Sequence, residues 1–80
     1  MDKRDVKIPT MHGIESSNIA AVGYDEDAGT LHVQFRNGGH YAYPDAGKEH
    51  FNSMLKADSA GGYFHQHFRN NPDIKFVKIK

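Results

Sequence analysis

"TLHVQFRNGGHYAY", residues 30–43, decides the fold. Leu31, Val33 and Phe35 alternate with His32 and Gln34, the period-2 pattern of a strand with one buried face. Asn37, Gly38 and Gly39 follow, residue types that tolerate positive φ, and "HYAY", residues 40–43, returns as a partner strand. The segment is therefore a β-hairpin, and its loop length sets which side chains share a face. With a two-residue loop, Asn37-Gly38, residue 36 pairs with 39 and 34 with 41. Tyr41 and Tyr43 then join His32, Gln34 and Arg36 on an open face, and His32 and His40 lie on opposite faces. With a three-residue loop, Arg36 to Gly38, residue 35 pairs with 39 and 33 with 41, and the tyrosines turn to the core. A one-residue slip exchanges the faces. The Asn-Gly pair favours the shorter turn. A short chain's need for large apolar groups favours the longer one, because burying His40 and Ala42 leaves a thin core.

Before the hairpin, "SNIAAVGYD", residues 17–25, reads as a strand that ends at the acidic turn "DEDAG". Residues 1–13 read as an arm, with Pro9 against a long element. After it, "PDAGKEHFNSMLKA" reads as a helix capped by Asp45, with Phe51, Met54 and Leu55 on one face. "DSAGG" offers Asp58 or Ser59 as the cap of a second helix, whose Ala60, Phe64 and Phe68 fall four apart. Gly61 and Gly62 weaken its first turn by about 1 kcal/mol each, which implies a reason of contact for them. Residues 71–80 form a basic tail or a short fourth strand, "IKFVKI". The expected fold is α+β: a small antiparallel three-stranded sheet in the order β-β-β-α-α, with helices on one face. Leu31, Val33, Phe35, Phe51, Leu55, Phe64 and Phe68 are its expected core.

Composition narrows the chemistry. Eighty residues make one domain. With no cysteine, disulfide and thiolate chemistry are excluded, which suits the cytoplasm. No apolar run approaches a membrane span of roughly 18 residues, so no membrane partner is expected. Ten basic and ten acidic side chains cancel, but unevenly along the chain. Residues 15–30 hold Glu15, Asp25, Glu26 and Asp27, whereas residues 59–80 hold Arg69, Lys75, Lys78 and Lys80 against Asp73. His65 and His67 point about 200° apart on a helix and cannot chelate one ion together. No third ligand, catalytic relay or phosphate loop accompanies the histidines and serines, so neither metal, cofactor nor catalysis is expected. Ser16 and Ser17 read as strand-entrance hydrogen bonders.

"SSNIAAVGYD", "LHVQFRNGGHYAY" and "LKADSAGGYFHQHFR" resemble, in order and spacing, the KTSC domain, over about residues 14–70. The marks are Tyr41-Ala42-Tyr43 after the hairpin Gly38, then Ser59, Gly61, Tyr63 and Phe64. Ala46-Gly47 stands where the family tends to valine-proline, and His50 takes an apolar helix position. The family occurs at the C-terminus of some lysyl-tRNA synthetases and as free-standing bacterial and phage proteins. The resemblance implies a non-catalytic module that binds RNA or single-stranded nucleic acid. Tyr41, Tyr43, Arg36, His32, Arg69, Lys75 and Lys78 are the candidate contacts, since aromatic faces stack unpaired bases and cations meet phosphates. The alternative is a protein-binding adaptor or inhibitor, phage-associated, that docks through the sheet edge or the acidic turn.

Overall fold

Residues 8–44, 46–69 and 74–80 are described by a computed structural model. Five strands run antiparallel in sequence order: β1 His12–Gly13, β2 Ile19–Asp25, β3 Thr30–Phe35, β4 His40–Tyr43 and β5 Val77–Lys78. The helix α1, Lys48–Lys56, and the helix α2, Ala60–Phe64, lie between β4 and β5, and α2 runs on into a π turn at His65–Arg69. The sheet is thus five-stranded, where three strands or, with the C-terminal one in residues 71–80, four were expected. Its extra members come from the expected arm and the basic end. Each is two residues long, too short for a periodic pattern to register. They are extended by backbone bonds such as Ile14 N to Ala20 O (3.0 Å) and Ile79 N to His40 O (2.8 Å).

The hairpin takes the three-residue loop. Val33 pairs with Tyr41 and Leu31 with Tyr43, and Phe35 N donates to Gly39 O at 2.8 Å. Gly38 N donates to Phe35 O at 3.0 Å, and Gly38 alone in the loop has positive φ, +97°. This is a type I turn followed by a left-handed glycine, whereas the two-residue type I′ turn needs positive φ at Asn37 as well. The tyrosines therefore lie on the core face with Ile19, Val22, Leu31, Val33 and Phe35. A one-residue bulge at Ala20 keeps both Ile19 and Val22 on that face, since Ile19 pairs with Phe35 but Ala21 with Gln34.

The helices cover this face. Ser59 Oγ caps α2 by accepting Gly62 N–H at 3.0 Å, and Ala60, Phe64 and Phe68 are all buried. A Cβ on Gly61 would stand 3.3 Å from Ser16 Oγ. Ser16 Oγ in turn accepts the N–H groups of Asn18 and Ile19 at 3.2 Å each, fixing the start of β2. Two helix expectations need correction. The cap position of α1 is Gly47, at φ 83° and without a side-chain bond; the expected cap Asp45 lies outside the described residues. Met54 is buried while Leu55 is 42% exposed, so the helix turns the Met54 flank of the expected stripe inward and leaves Leu55 at its edge. Among the described residues no helix is long and apolar enough to cross a membrane.

The opposite face has small residues at its centre, Ala21, Gly23 and Ala42, beside His32 and His40. Residues 9–11 cross it: a Cβ on Gly23 would meet Thr10 O at 2.6 Å and Met11 Sδ at 2.7 Å. His32 is 1% and His40 8% exposed. In the observed register the two share this face, rather than lying on opposite faces, and His32 Nδ1 sits 2.9 Å from His40 Nε2.

Candidate functional site

Where β4, α2 and the segment before β5 meet, the helices stop short of covering the sheet. An open groove of about 440 Å³ remains, within the range of small-ligand sites. Its floor is Tyr43, Phe64 and Phe68, all buried. The Tyr43 ring meets Phe64 and Phe68 edge-on, at centroid distances of 5.8 and 5.0 Å. Half-buried Phe35 and Tyr41 make one wall, and Phe76, 58% exposed, makes the lip. Phe76 leans on Tyr41 at 5.6 Å and on Tyr43 at 6.1 Å. The remaining lining is Asn37, Arg69 and Ile74. Past Tyr41 and Asn37 lies a second, shallower depression bordered by Lys78 and Lys80. The aromatic groove and the basic depression share Tyr41 and Asn37, so they form one continuous surface. No Asp or Glu side chain lines either part among the described residues.

Electrostatics agree with that geometry. Burial pushes the Tyr43 phenol up to about 12, the Tyr41 phenol adds to the rise, and the Arg69 guanidinium opposes it. Tyr43 thus stays a neutral hydroxyl beside a permanent cation.

The seven residues proposed from sequence separate into two groups. Tyr41, Tyr43, Arg69 and Lys78 converge on this surface. Tyr43 is there as floor, through its edge, and not as an open stacking platform. Arg36 is elsewhere: its Nε donates to Ser16 O and its Nη2 to Ile14 O, 3.2 Å, which ties down the segment entering β2. His32 is on the other face of the sheet, bonded to His40. Lys75 is exposed and outside the lining. Sequence reasoning missed Asn37 and Phe76 as members of the surface and read Lys80 only as part of the basic end. The apolar pair Phe76-Val77 between Lys75 and Lys78 was the available signal, but a strand so short does not announce its faces.

A second polar cluster joins α1 to α2. His50 Nδ1 lies 2.8 Å from the Tyr63 hydroxyl, and the Tyr63 ring lies 4.2 Å from that of His67. Tyr63 and His67 are a helix-surface pair one turn apart, and His50 occupies its unusual helix position by bonding to that tyrosine. Among the described residues no group of three His, Cys, Asp or Glu side chains is placed to hold a metal ion.

The family profile of the KTSC domain matches residues 15–71. The chain belongs to the KTSC domain family. An uncharacterized protein of Stutzerimonas stutzeri (strain A1501) is 36% identical over 56 residues, which is 70% of this chain and 79% of that protein. A protein of Tsukamurella paurometabola is 38% identical over 53 residues, 66% of this chain and 79% of its own length. The crystal structure of a KTSC domain protein from Yersinia pestis superimposes with a TM-score of 0.79 at 28% identity, covering 89% of this chain and 97% of that one. The KTSC marks have physical roles here. Tyr41 and Tyr43 wall and floor the groove, Gly38 turns the hairpin, Ser59 caps α2, and Phe64 fills the core.

Proposed function

We propose that this KTSC domain is a non-catalytic cytoplasmic module that binds single-stranded nucleic acid, RNA foremost, along the joined groove and depression. The observation that carries the reading is their continuity. An aromatic cleft for an unpaired base opens directly onto Lys78 and Lys80, where the adjoining phosphate would lie, with Arg69 at the far rim. Base–aromatic contact contributes about 1–3 kcal/mol per base and phosphate contact adds a salt-dependent term. A protein partner with an apolar core would use the lip but has no need of the lysines beside it.

The test is fluorescence anisotropy of a labelled single-stranded oligonucleotide across a salt series. Affinity should fall linearly on log–log axes, and the triple variant Arg69→Gln, Lys78→Gln, Lys80→Gln should lower the slope by about 0.7 for each phosphate it no longer neutralises. Salt-independent binding, or a triple variant with the parent's slope, would refute it. One observation supports a second reading. Val77 on the edge strand β5 and Phe76 just before it are both exposed, at 47% and 58%, and an edge can accept a partner strand. Salt-insensitive capture of a protein, abolished by Phe76→Ser, would favour that alternative.

A further inference from the structure

Of the chain's five asparagines only Asn37 is followed by glycine, and that pair forms the exposed tip of the β3–β4 hairpin. The backbone nitrogen after an asparagine is a nucleophile within reach of the side-chain amide carbon. In glycine no side chain shields that nitrogen. The loop adds an activating contact. Asn37 Oδ1 accepts the Gly39 N–H at 2.9 Å, and a Cβ on Gly39 would stand only 3.2 Å from that oxygen. Oδ1 is the atom that gathers negative charge when Cγ is attacked, so the Gly39 N–H sits where an oxyanion donor is needed. One contact opposes it: Gly38 N, the attacking atom, donates to Phe35 O at 3.0 Å. That is a single turn bond at an exposed tip, the kind that opens at small cost in free energy. Asn18 and Asn52 lack the combination. Asn18 precedes β-branched Ile19, whose N–H is held by Ser16 Oγ at 3.2 Å. Asn52 precedes Ser53 inside α1, where the ladder keeps amide nitrogens bonded.

We propose that Asn37-Gly38 is a self-modification site, whose deamidation puts a negative charge into the groove and the depression beside it. Gly38 N gives its proton to water or hydroxide and bonds to Asn37 Cγ. The Cγ–Nδ2 bond then breaks, and that nitrogen leaves as ammonia. The cyclic imide so formed takes up one water at either carbonyl. It opens to aspartate, or to isoaspartate, in which the main chain runs through the side chain. The net change is amide plus water to carboxylic acid plus ammonia, with nothing oxidised or reduced. Either product carries a carboxylate on the residue that lines both parts of the surface, with Lys78 and Lys80 bordering the second. Isoaspartate also lengthens the main chain of the loop that sets the hairpin register. The consequence for binding rests on the single-strand reading above: the new charge opposes a phosphate, so affinity falls as the protein ages.

The test ages the whole chain in mildly alkaline buffer. Samples are digested with pepsin in acid, which stops the imide chemistry, and mapped by mass spectrometry. Residue 37 should convert to the acid about tenfold faster than residue 18 or 52, equivalent to about 1.4 kcal/mol in barrier. The rate should rise with pH, because the attacking nitrogen must first lose its proton. Converted protein, isolated by ion exchange, and fresh Asn37→Asp then enter the anisotropy salt series. Each should lower the log–log slope by about 0.7, as if one lysine were cancelled. Asn37→Gln closes the corresponding ring poorly, so whatever affinity it starts with should persist on ageing. A thermal melt checks that every sample is folded. Conversion at residue 37 no faster than at 18 and 52 would overturn this inference and leave the groove reading standing. So would converted protein with the fresh parent's slope. A fresh parent that binds no oligonucleotide would overturn the groove reading, and the peptide map would still decide the modification.

Discussion

Mild acid should destabilise this domain through His32 and His40. At neutral pH the pair is a neutral contact, one ring donating and the other accepting across 2.9 Å. Both pKa values lie below the ordinary 6.5. For His32 burial is the largest cause, the His40 ring adds to it, and Asp25 opposes it. For His40 burial again leads, followed by the Lys80 ammonium. A depressed histidine pKa means that the unfolded chain takes up protons first as pH falls, so stability decreases with acid. The contribution is complete above about pH 6.5 and is lost on going below it, until the folded pair itself protonates. Within that window each neutral histidine costs about 1.4 kcal/mol per pH unit, or about 2.7 kcal/mol for both. A domain of this size holds roughly 4–12 kcal/mol in total. Each pH unit between 6.5 and the point where the folded pair protonates therefore removes a measurable share of that stability. Urea denaturation at steps from pH 7.5 to 4.5 measures the loss, and the double variant His32→Leu, His40→Leu supplies the comparison. The parent should lose stability steeply below pH 6.5 and the variant much less. All other side chains are the same in both proteins, so the difference isolates the pair. Parallel pH profiles would refute the reasoning.

Other perturbations test the core and the arm. Phe64→Ala should cost roughly 3–5 kcal/mol, because Phe64 touches Phe35, Tyr43 and Phe68 at once; a melt within a few degrees of the parent would mean that α2 does not dock as described. Tyr43→Ala should destabilise by a similar amount and Tyr43→Phe by about 1 kcal/mol or less, whereas half-buried Tyr41→Ala should lose less stability and show its larger effect in the oligonucleotide titration. Gly23→Ala should cost about 1–3 kcal/mol and displace residues 9–11, seen as faster hydrogen exchange in β1, because the new methyl meets Thr10 O at 2.6 Å. A silent Gly23→Ala would show that the crossing segment is not held there.

Much of the fold was legible because the pattern was local. Alternation marked β3, small and β-branched residues marked β2, and the four-residue spacing of Ala60, Phe64 and Phe68 marked the buried stripe of α2. What failed was non-local or short. Two-residue edge strands carry no periodicity, and they form here because β2 and β4 present free backbone groups to the chain that passes them. For α1 the spacing put Phe51, Met54 and Leu55 on one face, and which flank of that face meets the sheet is set by how the helix docks, so Met54 is buried and Leu55 is not.

The site was legible in part for a related reason. The turn preference of Asn-Gly and the apolar demand of the core made opposite claims on the hairpin, and the second prevailed. It prevailed because Tyr41 and Tyr43 offer ring area that Ala42 and His40 cannot, each large ring contributing on the order of kilocalories when buried. The same outcome moved His32 off the candidate surface and brought it against His40, which no reading of the two-residue register places together. It also decided what Asn37 does. In a type I′ turn its backbone would take the strained conformation; in the observed loop Gly38 takes that conformation, and the Asn37 amide is free to cap Gly39. One residue of loop length thus determines three things together: a tyrosine-floored groove, a buried histidine pair, and an asparagine whose amide oxygen is held by Gly39.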